Sequence, residues 1–352
     1  MTAGGDCDRS HREIADLADR CEVQAVLAGA ARNDITPELG VPLMGYGARV
    51  GGAKAVADRL YARALSLSSD SKHSILLVSA ELCLIDSAQA SDLRSRIASR
   101  TGLSADAILV ACTHTHSGPD TGVAERNAGR PEPTHLAAVF EGIVAAGVEA
   151  WRNREPAELS CVRTEAHIGR NRRVADGETD RAVDVLQVGR KKGGPPIAVL
   201  FRHSCHGTVR GHDSLELSGD WPGEASRRIE AATGSIAPFL LGAHADVDPR
   251  TRGLMDLAIP GQSVGLGREA VGVLGGEVAE AVLAALGRAV SVPEPVRIAA
   301  RGTRVKLPLH LGELGPAELE AELARRKAEL TLLLGLDALP RLAELYDLAS
   351  HS

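Results

Sequence analysis

Two groups of histidines, each directly behind an apolar run, are the residues of this 352-residue chain best suited to chemistry. Thr113-His114-Thr115-His116 follows Ala107-Ile108-Leu109-Val110-Ala111-Cys112, which reads as a buried strand, and Ser117-Gly118-Pro119 then breaks it. In an extended chain, residues two apart face the same side, so both imidazoles can project together from the strand's carboxyl end. That end is where ligands sit in open α/β sheets. Paired imidazoles suit a zinc site; the plainer reading is two polar histidines on a loop. The second group is His203-Ser204-Cys205-His206-Gly207-Thr208, behind the apolar run Ile197 to Phe201. His203, Cys205, His206 and His212 each carry a ligand atom, although Cys205 also reads as a small core residue and His212 as a surface one.

Carboxylates and cations gather nearby in sequence. Asp220, in Ser218-Gly219-Asp220-Trp221-Pro222-Gly223, precedes a helix predicted over 223–233. It has two readings: a helix N-cap with Pro222 in the first turn, or a carboxylate that orients a metal-binding histidine. Asp246 and Asp248, in Ala245-Asp246-Val247-Asp248-Pro249-Arg250, follow the short run Phe239-Leu240-Leu241. They suit either a metal or an Asx-turn. Gly169-Arg170-Asn171-Arg172-Arg173 is either a solvated face or a site for an anionic or carbonyl group. No GxSxG nucleophile elbow occurs, and Gly272-Val273-Leu274-Gly275-Gly276 lacks the lysine and spacing of a phosphate loop.

The elements that must position these residues follow from periodicity. Strands are predicted at Val23 to Ala30, Ala62 to Leu67 and Ser74 to Ser79, with a hairpin turn at Ser68-Ser69-Asp70-Ser71. A helix over 87–100, with Ala88, Leu93 and Ile97 on one side, leads to the strand before His114. Strand, helix, strand at this spacing implies a parallel crossover. Further helices are predicted over 135–151 and 267–289, and strands at Ala182 to Val188, Ile197 to Phe201 and around Val296, Ile298 and Val305. The expected class is α/β, with mixed β-sheets, a strand-end histidine site and flanking helices. Residues 1–22 read as a polar leader, 23–310 as one α/β domain, and 311–352 as a helical tail, an incomplete end of the same domain.

Composition excludes several functions. The charge is −6 and aromatics are only 2%, so neither a phosphate backbone nor stacked single-stranded bases is an expected partner. No stretch of about 18 uncharged apolar residues exists, so no transmembrane helix is expected. Six cysteines without CxxC spacing, and a charged N-terminus without an apolar core, point to reduced thiols and a cytoplasmic location. The oligomeric state is not legible.

Taken in order, these segments resemble the neutral/alkaline non-lysosomal ceramidase family. The resemblance begins at Asp34-Ile35-Thr36-Pro37 and Gly45-Tyr46-Gly47. It continues through Leu60-Tyr61-Ala62-Arg63-Ala64 and Val78-Ser79-Ala80-Glu81-Leu82, and is most specific at Thr113 to Pro119. Asn171-Arg172, His206, Ser218 to Gly223 and Asp246-Val247-Asp248-Pro249 complete it. The resemblance implies zinc (Zn2+) held by His114 and His206, with His116 and Arg172 beside the substrate and Asp248 at the reaction centre. Asp220 and Asp246 would support them. It further implies a zinc-dependent hydrolase that cleaves a linear amide bond in a lipid or small N-acyl amide with metal-activated water, as in sphingolipid metabolism. Two departures stand out. Ceramidases proper have a serine where Asp248 stands. Their further ligands, a glutamate in Pro-Gly-Glu and a tyrosine, have no counterpart: Pro260-Gly261-Gln262 lacks the carboxylate, and Tyr346 lies in the helical tail. A degenerate or truncated binding protein without turnover is therefore one rival reading. A two-metal hydrolase of another class, using Asp220, Asp246 or Asp248 with the histidines, is the other.

Overall fold

The computed structural model describes residues 26–47, 49–70, 72–123, 133–252 and 263–300, residue 302, and a few positions between 315 and 325. The leader 1–22, Val305 and nearly all of the 311–352 tail lie outside the described residues, whereas Val296 and Ile298, expected in a strand, are described and lie in none.

In chain order the elements are β1 (Leu27–Asp34), β2 (Ala55–Val56), β3 (Tyr61–Ser68), β4 (Ser74–Ala80), α1 (Ser87–Thr101), β5 (Ile108–Cys112) and α2 (Leu136–Arg152). Then come β6 (Glu155–Glu165), β7 (Gly169–Asn171), β8 (Ala182–Arg190), β9 (Ala198–His203), β10 (Glu216–Leu217) and α3 (Asp220–Thr233). The last are β11 (Phe239–Leu241), β12 (Val247–Pro249), α4 (Ser263–Leu286) and β13 (Val290–Ser291). The class is α/β, as expected: a large mixed sheet of order β11-β9-β8-β6-β1-β3-β4-β5, with β13 also on β6, flanked by α1, α2, α3 and α4 among the described residues. β4 and β5 are parallel, as the crossover through α1 requires. β9 and β11 are parallel too, whereas β1, β3, β6 and β8 pair antiparallel with their neighbours.

Local chemistry explains most boundaries. β1 runs beyond the predicted Ala30 because all eight of its residues pair with β3, out to Asp34 opposite Tyr61. α1 opens with a capping box: Gln89 N donates to Asp86 Oδ1 at 2.8 Å and Asp86 N to Gln89 Oε1 at 3.1 Å. It closes at Gly102, whose φ of 77° is the left-handed conformation glycine allows. The buried stripe is Gln89, Leu93 and Ile97, and the expected Ala88 is exposed. Gln89 is drawn inward because its Nε2 also donates to the Thr121 carbonyl at 2.7 Å, tying α1 to the loop beyond His116. Burying Leu93 and Ile97 contributes roughly 1.5–3 kcal/mol each.

One apolar core lies between α1, α2 and the β3–β4 region, with Phe140, Ile143 and Val78 in it. A second joins α3 and α4 to β8 and β9 through Trp221, Ile229, Leu274, Val185 and Phe201. The sheet curls on itself. Ser79 on β4 donates its hydroxyl to the Phe239 carbonyl on β11, 2.5 Å away, although these strands stand near opposite ends of the strand order.

A buried charge network braces this curl. The Arg63 guanidinium on β3 pairs with Glu81 and, through Nε at 2.8 Å, with Glu230 on α3. Glu81 also accepts from the Tyr61 amide at 2.9 Å, and Glu230 from Arg32 at 2.5 Å. Replacing one member of such a network strands the remaining charges. Arg63→Met is expected to cost about 3–5 kcal/mol of unfolding free energy, read from the urea midpoint. A loss under about 1 kcal/mol would show that the network is dispensable.

Candidate metal centre

The curl brings the carboxyl ends of β5, β9 and β11 together. Thr115, just past β5, forms a parallel bridge with Gly207, just past β9, and the His116 amide donates to the Gly207 carbonyl at 3.0 Å. The His206 amide donates to Val247 O at 3.0 Å, and Gly242 N to His203 O at 3.0 Å, which stitches in the segment after β11. Gly207 is needed here: a β-carbon would lie 2.9 Å from His114 O and 3.0 Å from Thr115 Cα.

Four imidazoles meet at this junction. His114, His206 and His244 form a nearly equilateral set, with ring centroids 5.0, 4.7 and 4.6 Å apart. His116 stands 4.9 Å from His114 but 6.0 Å from His206. The Nδ1 atoms of three rings are tied to backbone carbonyls: His114 to Cys83 at 2.9 Å, His206 to Val247 at 3.1 Å and His244 to Gly242 at 3.1 Å. A carbonyl only accepts, so each Nδ1 carries the proton and each Nε2 presents a lone pair. Burial, helped by neighbouring imidazoles and arginines, pulls His114 down to about 4 and His116 to about 2, and lowers His206. These rings are therefore neutral near pH 7 and need not lose a proton to bind a cation. Among the described residues two groups could hold a metal: His114, His206 and His244, and Cys83, His114 and His116.

The route by which the first two histidines converge differs from strand alternation. His114 has φ 63°, a left-handed conformation that costs a non-glycine residue roughly 1–3 kcal/mol. Its own amide is held by Leu82 O at 2.9 Å. The turn brings His114 Nε2 and His116 Nε2 to 3.2 Å. With its Nδ1 proton committed, His114 can only accept, so His116 Nε2 donates, and the buried His116 Nδ1 has no partner among the described residues.

The Gly45-Tyr46-Gly47 motif packs against this ring. Gly45 has φ 106°, and a β-carbon there would fall 2.3 Å from His116 Cγ. Tyr46 meets His116 edge to face at 4.8 Å and donates its hydroxyl to Arg210 O at 2.7 Å. Arg49 spans the loops, donating to His116 O at 2.6 Å and lying 4.7 Å over the Tyr46 ring.

The remaining sequence-predicted residues divide. Asp248 comes to the cluster: its Oδ1 lies 3.7 Å from both His206 Nδ1 and Arg172 Nη1. Arg172 is exposed beside it, positioned by the β7–β12 pairing and by its amide on Asp246 O at 2.8 Å. Asp246 is exposed and accepts from Asn171 at 3.3 Å rather than from a histidine. Asp220 is fully buried, but it is neither the N-cap, which is Gly219, nor a partner of an imidazole. Its carboxylate takes the amides of Val209, Arg210 and Trp221 at 3.2, 3.0 and 2.8 Å, while Trp221 Nε1 holds His206 O at 2.8 Å. Asp220 therefore shapes the chain after His206, and backbone carbonyls orient the rings. Among the described residues, the two metal-competent groups are made of histidine and cysteine, with Asp248 beside His206. His203 is buried against Trp221, Cys205 sits in the core, and His212 is exposed.

His244 is the residue that sequence reasoning missed. Its signal was present: a histidine three residues past the apolar run Phe239 to Leu241, repeating the strand-end pattern of His114 and His206. A separate cavity of about 570 Å³, with Leu186, Leu200, Leu240 and Val290 in its lining, contains no histidine, and its Arg163, Asp184 and Arg202 pair with one another.

The family profile described as neutral/alkaline non-lysosomal ceramidase, N-terminal, matches residues 26–254. The chain belongs to the neutral/alkaline non-lysosomal ceramidase family. The matched span includes Tyr46, Cys83, all four clustered histidines, Arg172 and Asp248. The neutral ceramidase from Pseudomonas aeruginosa has the same fold over 75% of this chain and 45% of its own, with a TM-score of 0.63 and 21% identity. A ceramidase solved in complex with C2 aligns over 74% of this chain and 44% of its own, with a TM-score of 0.61 and 20% identity. This chain thus spans less than half the length of the solved ceramidases it matches.

Because the histidine cluster depends on close backbone approach, Gly207→Ala is expected to lower stability by about 1–3 kcal/mol and to weaken any metal binding by the cluster with it. Thermal unfolding and metal titration check this together; unchanged metal affinity would separate the cluster from the junction.

Proposed function

We propose that this chain is a zinc-dependent hydrolase of linear amide bonds, acting on a lipid or small N-acyl amide. The observation that carries the reading is the pair His114 and His206, each with Nδ1 on a backbone carbonyl and a lone pair left on Nε2, within a ceramidase-family domain. Neutral imidazole lone pairs suit zinc, a borderline-soft ion. When bound, zinc would act as a Lewis acid on the amide carbonyl and on the attacking water.

The chain's own residues would do the rest. His116 Nε2 loses its acceptor once the His114 lone pair is engaged, so its proton is free for an oxygen of the scissile amide. An N–H aimed at developing negative charge in a partly buried site is worth far more than in water. Arg172, exposed at the rim, supports anchoring of a carbonyl or anionic group of the substrate. Asp248, between Arg172 and His206, brings negative charge beside an otherwise neutral ligand set. That carboxylate, where ceramidases proper carry serine, favours an amide other than ceramide.

Purified protein is expected to bind zinc and to hydrolyse a fluorogenic N-acyl amide in a zinc-dependent way. His114→Ala and His206→Ala should lose both properties. His116→Ala should retain zinc and lose about 10²–10³-fold in kcat. Full turnover in His116→Ala would remove it from the chemistry; absence of any zinc uptake by the wild type would sink the whole reading. Asp248→Ser is expected to shift the ratio of kcat/KM values toward ceramide by at least about tenfold, roughly 1.4 kcal/mol, and an unchanged ratio would show that this carboxylate does not set specificity.

A further inference from the structure

We propose that His244 is a third protein ligand, so that His114, His206 and His244 hold one metal ion through their Nε2 atoms. This rests on the reading that His114 and His206 bind zinc. Two imidazoles alone fall short of the three protein ligands usual at a catalytic zinc.

The geometry singles out His244. Its ring centroid is 4.7 Å from that of His114 and 4.6 Å from that of His206, and those two are 5.0 Å apart. The ligand atoms of the three lie within 4.8 Å of one another. Its Nδ1 is 3.1 Å from Gly242 O, the same orientation device that His114 and His206 use. Three rings from three different strand ends thus share one tautomer and one point of convergence. Such outer hydrogen bonds fix ring orientation at metal sites and raise ligand basicity.

The competing trio, Cys83, His114 and His116, is a poorer cage. Cys83 Sγ lies 3.8 Å from His114 Nδ1, the nitrogen that already donates to Cys83 O at 2.9 Å. An ion shared by Cys83 Sγ and His114 Nδ1 would therefore meet a protonated nitrogen, whereas the His114 lone pair is on Nε2. His116, 6.0 Å from His206 and outside the compact set, lies to one side. A three-histidine set leaves a fourth, open position, and His116 Nε2, 3.2 Å from His114 Nε2, borders it. Three neutral ligands also leave the ion its full charge, which strengthens its effect on a bound carbonyl.

Zinc affinity measured by competition with a chelating indicator, together with the visible spectrum of the cobalt(II)-substituted protein, tests this. Wild type should bind one equivalent, and the cobalt form should show four-coordinate d–d bands without a thiolate charge-transfer band. His244→Ala should weaken zinc by more than about 100-fold, beyond the 10–100-fold typical of losing an outer hydrogen-bond partner, and should alter the d–d bands. Cys83→Ser should leave both unchanged. Thermal unfolding of the metal-free His244→Ala protein should match wild type, because the ring is only half-buried and its bond is to a neighbouring carbonyl. Wild-type affinity in His244→Ala alongside loss in His114→Ala would overturn the third-ligand assignment and leave the zinc reading standing. A thiolate band, or loss of zinc in Cys83→Ser, would move the third ligand to Cys83. No uptake by wild type would overturn both.

Discussion

The segment leaving β5 and the segment leaving β9 meet backbone to backbone at Thr115 and Gly207, and the histidine cluster exists only because they do. The two strands stand far apart in the strand order, so no amount of local structure could place His114 beside His206. Curling of the sheet does it. Ser79 on Phe239 O, and Arg63 between Glu81 and Glu230, are the polar ties across that curl. Glycine at 207 lets the chains approach to a distance that any β-carbon would forbid. Parallel pairing of β4 with β5 and of β9 with β11 then puts the loops that carry the rings at carboxyl ends, where a sheet leaves room for a ligand.

The site is held stiffly, and at some local expense. His114 and Asp220 both adopt left-handed backbone conformations. Such conformations persist only where the surroundings over-determine them. The His114 amide is taken by Leu82 O, and the Asp220 carboxylate by three backbone amides. Arg49 adds a tie between the Met44, His116 and Gly211 carbonyls. The imidazoles consequently have little freedom to reorient. A ligand set that is preorganised in this way loses less entropy when a cation arrives.

Much of the fold was legible from periodicity. The 87–100 helix, the hairpin through Ser68 to Asp70, the parallel crossover and the three-residue strand at Phe239 all lie within a residue or two of expectation, because apolar spacing and turn residues act locally. Ala88 was misplaced because Gln89 is drawn inward by hydrogen bonds that periodicity does not register. At the site, His114, His116 and His206 stood out as histidines behind apolar runs. His244 did not, because the strand before it is only three residues long and a short apolar run gives a weak periodic signal. Asp220 reads from sequence as a helix cap or an imidazole partner; its partners in the fold are the amides of Val209 and Arg210, ten residues and more upstream, and that of Trp221.

The sequence by itself determined the chemistry on offer: imidazoles at strand ends, a basic Asn171-Arg172 segment, a carboxylate at Asp248, and the ordered motifs that mark the family. Residue type and local spacing carry that information without reference to distant parts of the chain. Only the tertiary structure decided which imidazoles share a point in space, which nitrogen each presents, and which buried carboxylates act on backbone instead. Those outcomes depend on hydrogen bonds between segments separated by tens of residues, such as His116 on Gly207 and His206 on Val247. Sequence distance says nothing about them until the sheet has curled.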